Sequence, residues 1–140
     1  MTVKKKARFT LSELLIVVAI IGVLVAISIP IFTQQIHKAE VATDWANVRS
    51  YYAQLQYDFM ETGKVNETYI HEISKDPTGL TSFNLSGQTV NLKAGSLWVA
   101  HEDDGKRGYN LMYICKEGEE AHPECKLMLP EDPPSESGTK

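Results

Sequence analysis

From Leu14 to Phe32 the chain runs for 19 residues without a charged side chain, and Ser28 is the only polar one. No other feature limits the fold so sharply. About 20 predominantly apolar residues carry a helix across the hydrocarbon core of a bilayer, so a run of this length reads as a membrane-spanning segment. Burial inside a soluble protein is the alternative. The chain has 140 residues, room for one domain, and the roughly 100 residues outside the run can barely supply such a core.

The flanks orient the run. The first eight residues, MTVKKKAR, hold four of the 14 basic groups and no acid. Basic flanks stay on the cytoplasmic side. The reading is therefore a single-pass cytoplasmic-membrane protein with its N-terminus inside and its C-terminal part outside. A cleaved secretory signal would end in small residues. Here the run closes with Ser28-Ile29-Pro30-Ile31-Phe32 and offers no A-x-A site, so the segment is expected to be retained. Beyond the first eight residues, 10 basic groups face 18 acidic ones, a formal charge of −8. That excludes a nucleic-acid binder built on the bulk of the chain. Lys93, Lys106, Arg107, Lys116 and Lys126 are interspersed with acids, and nucleic acid is not an expected partner.

Glu13 breaks the pattern. It sits between Phe9, Leu11 and the run that starts at Leu14. A carboxylate at the middle of a membrane helix costs about 2.5–3.5 kcal/mol and usually marks function with a partner. Near the helix end the cost is smaller, and the macrodipole favours an acid there.

Pro30 removes a backbone donor and clashes with the preceding turn, so a kink or local melting is expected over residues 26–30. Gly22 is a second weak point. Past residue 32 the pattern becomes amphipathic. Val41, Trp45, Val48, Tyr52, Leu55 and Phe59 follow spacings of 4, 3, 4, 3, 4, one stripe of a helix. Lys38, Glu40, Asp44, Asn47, Gln54 and Asp58 are assigned to the opposite side. Thr62-Gly63 ends the helix. From Thr10 to Glu61 such a helix is about 78 Å long, too long to lie inside a small globule, so its apolar half is expected to project.

Residues 64–87 read as a connecting loop, with a short helix near residues 67–74 and turn signals at Asp76-Pro77-Thr78-Gly79 and Ser86-Gly87. Strands are predicted at 88–92, 96–101 and 109–115, with a short edge strand at 126–129 and a hairpin turn at Asp103-Asp104-Gly105-Lys106. The fold class is α+β: a long N-terminal helix packed on a small antiparallel sheet, with Trp45, Tyr52, Phe59, Trp98, Leu111 and Tyr113 in the core. The organisation is a basic leader (1–8), a hydrophobic helix (9–32), its amphipathic continuation (33–62), a head of loop and sheet (63–129) and a disordered tail (130–140). Cys115 and Cys125 enclose nine residues, and in an exported domain a disulfide is favoured. His122 lies between them without an evident fourth ligand, so zinc is not expected.

No catalytic constellation stands out. His37, His71, His101 and His122 are scattered, and there is no G-x-x-x-x-G-K-[ST] nucleotide motif. No enzyme activity, metal or cofactor is expected. Asn66-Glu67-Thr68 and Asn84-Leu85-Ser86 fit the common glycosylation pattern.

The stretch Phe9-Thr10-Leu11-Ser12-Glu13-Leu14-Leu15-Ile16-Val17-Val18-Ala19-Ile20-Ile21-Gly22 resembles the type IV prepilin N-terminus, over roughly residues 4–40. Aromatic residue, Thr, Leu, acid and apolar run fall in order, and Pro30 matches the family's helix-kinking proline. The resemblance implies cleavage between Arg8 and Phe9 by a prepilin peptidase, N-methylation of Phe9, and a pairing of Glu13 with an N-terminal amine during assembly. The family carries Gly before the cut where this chain has Arg8, and Ser12 stands where a branched apolar residue is common. The implied partners are the lipid bilayer before assembly, an inner-membrane assembly platform, and copies of the chain itself and related pilins in a helical filament, a cell-surface pilus. A C-terminal disulfide loop is also similar to the family's.

A type II secretion pseudopilin and a membrane-anchored exported binding domain that does not polymerise are the alternatives. Some pseudopilins bind calcium in a C-terminal loop. The acids around His101-Glu102-Asp103-Asp104 and at Glu117, Glu119 and Glu120 read instead as solvated turns, because calcium needs six to eight converging oxygens.

Overall fold

The computed structural model of the chain describes residues 7–101, 106–116 and 125–131. Lys4, Lys5 and Lys6 of the leader, the turn at 103–105, Glu102, Glu117, Glu119, Glu120 and His122, and the tail beyond Glu131 lie outside the described residues. The chain divides into two units, Met1–His37 and Lys38–Lys140. One helix, α1 (Leu11–Thr62), contributes to both.

The first unit contains the apolar part of α1. Its large side chains are exposed, from Leu14 at 52% to Phe32 at 66%. It makes α1 the one helix among the described residues long and apolar enough to cross a membrane. The helix is unbroken through residues 26–30, so the expected local melting does not occur. Proline costs its own hydrogen bond but pre-sets a helical φ. Neighbouring hydroxyls also hold the turns on either side. Ser28 Oγ donates to the Leu24 carbonyl (2.7 Å), and Thr33 Oγ1 donates to the Pro30 carbonyl (3.0 Å).

In the second unit α1 ends at Gly63, whose φ of +68° continues no right-handed helix and whose N–H closes on the Phe59 carbonyl at 2.8 Å. A 3-10 turn follows at Glu67–Tyr69, shorter than the helix predicted there. Then come β1 (Ser82–Leu85), β2 (Gln88–Asn91), β3 (Gly95–His101), β4 (Tyr109–Cys115) and β5 (Leu127–Leu129). They form two sheets: an antiparallel β1–β2 hairpin and an antiparallel sheet of order β3-β4-β5. The strand β1 falls in the segment read as a loop. Ser86 and Gly87, both at positive φ (51° and 84°), make its two-residue hairpin turn.

Register puts the core on one face of the larger sheet. The inward rows are Leu97–Tyr113–Leu127 and Val99–Leu111–Leu129, and all six side chains are buried against Val48, Tyr51 and Leu55 of α1. Each such aliphatic side chain contributes about 1.5–3 kcal/mol on burial. The outward row is Trp98–Met112–Met128. Trp98 is therefore not a core residue. Its indole N–H donates to the Asp76 carbonyl at 2.8 Å, under the loop that precedes β1. The architecture is thus α+β, one long N-terminal helix packed on small antiparallel sheets.

The buried face of α1 is rotated from the predicted stripe. Asp44, Val48, Tyr51 and Leu55 are its buried residues, while Val41, Trp45, Tyr52 and Phe59 flank it half-buried. The reason lies in what Asp44 binds.

Candidate functional site

The first turn of α1 is built from Thr10-Leu11-Ser12-Glu13. The Thr10 N–H donates to Glu13 Oε2 at 2.9 Å, and the Glu13 N–H approaches Thr10 Oγ1 at 3.3 Å. This is a reciprocal capping box, which satisfies two backbone donors that a helix start leaves unpaired. Thr10 Oγ1 also lies 3.0 Å from Ser12 Oγ. The spacing Thr-x-x-Glu carries this signal in the sequence, beyond the macrodipole preference for an acid at the helix start. The carboxylate accepts one bond from its own helix and has lone pairs left for a cation. Phe9 is 82% exposed beside it, and Arg8 is exposed. Gly22 has nothing within 4 Å of the place a Cβ would occupy, and Pro30 sits within the unbroken helix.

Asp44 organises the second unit, and its assignment to the polar side of the helix is corrected: it is fully buried. Its carboxylate accepts from the Lys93 N–H (3.0 Å), the Ala94 N–H (2.8 Å) and the Tyr113 hydroxyl (2.8 Å). Three donors replace water around a buried charge, the condition under which its burial is tolerable. They tie α1 to the β2–β3 connection and to β4. Burial, the hydrogen bond to Asp44 and its negative charge push the Tyr113 phenol well above the usual tyrosine range. Gly95, next to this staple, leaves no space for a Cβ against the Tyr113 ring and the Ile114 carbonyl.

The ends of the larger sheet are closed separately. Cys115 and Cys125 lie at disulfide distance, with Cα atoms 5.8 Å apart, joining the end of β4 to the approach to β5. Arg49 pairs with Glu131 beyond β5 and stacks on the Trp45 ring, its guanidinium carbon 5.8 Å from the centroid. Of the basic residues, Lys116 donates its ammonium to the Lys93 carbonyl at 3.3 Å. Both Asn-x-Ser/Thr asparagines are engaged as acceptors, Asn66 from the Thr68 N–H and Asn84 from the Gly87 N–H. The acids considered for calcium all lie outside the described residues.

Among protein-family models, curated proteins and solved structures, none matches the chain.

Proposed function

We propose that this chain is a structural subunit of a type IV pilus-like filament. It is inserted as a single-pass prepilin with its N-terminus in the cytoplasm, then polymerised through the apolar half of α1. The reading rests on one observation above all: a carboxylate at the first turn of α1, in the order Phe9-Thr10-Leu11-Ser12-Glu13-Leu14, followed by an uncharged stretch, residues 14–32, whose large side chains are all exposed.

The physics of assembly follows from that helix. Leaving the membrane exchanges lipid for the apolar helices of neighbouring copies, which conserves the burial. Glu13 is then enclosed. A buried carboxylate and a buried amine each cost several kcal/mol, and pairing offsets this only in the correct register. A one-residue slip leaves both unpaired, so the pair selects a register more than it adds stability. In this scheme a prepilin peptidase cuts between Arg8 and Phe9, the new amine of Phe9 is methylated, and an inner-membrane platform drives extraction. The capping box lets the waiting monomer hold its carboxylate against its own helix until a neighbour's amine arrives.

Filaments sheared from the cell surface, analysed by intact mass and N-terminal sequencing, test the proposal. The expected species begins at methylated Phe9. A chain that still begins at Met1, or that is missing from the filaments while abundant in the membrane, refutes it.

A further inference from the structure

The second unit has an open cleft of about 190 Å³ between α1, the 3-10 turn and β1, lined by Tyr51, Tyr69, His71, Ser82, Phe83 and Asn84 among others. None of its lining residues carries a carboxylate, ammonium or guanidinium group. The Tyr51 ring stacks on Phe83 with centroids 4.4 Å apart and is 4% exposed. Its hydroxyl makes no hydrogen bond among the described residues. Burial pushes that phenol up to about 12, so it is a neutral donor at physiological pH. His71 is held by a backbone bridge to Val99, and its Nδ1 is enclosed without a partner among the described residues. Asn84 has committed its carbonyl oxygen to Gly87, which leaves its amide nitrogen to donate.

The chemistry of this lining limits the ligand. An ion would lose water and gain no counter-charge. A wholly apolar ligand would cover the Tyr51 hydroxyl without pairing it, which is unfavourable. A neutral ring with hydroxyls on its edge and C–H groups on its face meets both conditions, setting hydroxyls against Tyr51, Ser82 and Asn84 and C–H groups against Phe83 and Leu80. We propose that this cleft binds one neutral monosaccharide unit. The volume suits a single sugar ring, so the site would recognise a terminal residue and not a long oligosaccharide. Nothing in this inference depends on polymerisation.

The test is saturation-transfer NMR on the full chain in a phosphocholine detergent, chosen to exclude glycoside detergents. The probes are the methyl glycosides of glucose, galactose and mannose, and N-acetylglucosamine. At least one is expected to receive saturation at its ring C–H protons. Tyr51→Phe, which keeps the stack on Phe83 and deletes only the hydroxyl, should weaken binding about three- to tenfold, the worth of one hydrogen bond. Ser82→Ala should weaken it similarly and carries the comparison should Tyr51→Phe misfold. Met128→Ala, on the outward sheet face, should leave it unchanged. Absence of transfer to all four probes overturns the proposal, as does transfer that both cleft variants leave intact.

Discussion

Asp44 is a buried charge whose partners are two backbone N–H groups and a phenol. Removing it strands all three donors. Asp44→Ala is therefore expected to destabilise the second unit by about 3–5 kcal/mol, against about 1 kcal/mol for Tyr113→Phe, where the carboxylate keeps its backbone donors. Denaturant titration of the full chain in detergent measures both. Two buried tyrosines, one of them at this site, set a pH limit. Tyr51 and Tyr113 have folded-state values raised above 10.0. Their contribution is fully present below about pH 10 and is lost as pH rises through the raised values, because the unfolded chain ionises first. Stability should fall above pH 10, and Tyr113→Phe should flatten that fall. Asp44 was not legible in the sequence. Helical spacing put it beside Lys38 and Glu40 on a polar side, and the donors that reverse this are far along the chain: two backbone N–H groups about fifty residues away, which carry no sequence signal, and the Tyr113 hydroxyl further on.

At the scale of elements, α1 was the most legible, because two independent signals agree on it. An uncharged run marks its first part, a 4-3-4 spacing its second, and the observed bounds, Leu11–Thr62, differ by one residue from those predicted. The strands β2, β3, β4 and β5 were also recovered: β3 and β4 because seven-residue alternation is long enough to read, β2 and β5 as short alternations close to where they were expected. The four residues of β1 are not, and the Ser86-Gly87 turn was taken as loop punctuation when it closes a hairpin. Two predictions belong here. Thr10→Val removes the hydroxyl that accepts from the Glu13 N–H in the capping box and should cost about 1 kcal/mol at the first turn, seen as faster amide exchange confined to the start of α1. Gly95→Ala drives a methyl into the Tyr113 ring and the Ile114 carbonyl. It should cost about 1–3 kcal/mol, read in the same denaturant titration.

For the whole molecule, the account requires Glu13 to be dispensable for folding and insertion and indispensable for polymerisation. In the monomer it caps its own helix from an exposed position, so its loss removes only a local bond. In a filament it would be enclosed among apolar helices, where only a matched cation makes it tolerable. The order of residues around Glu13 was legible at once, being local. In the proposed filament, what completes the site would lie on another copy of the chain. The most direct measurement compares cells making the native chain and Glu13→Ala at equal membrane levels, quantifying the chain in the sheared surface fraction. The account predicts abundant native subunit there and little or none of the variant. Equal amounts of both, or neither present in the sheared fraction, would contradict it.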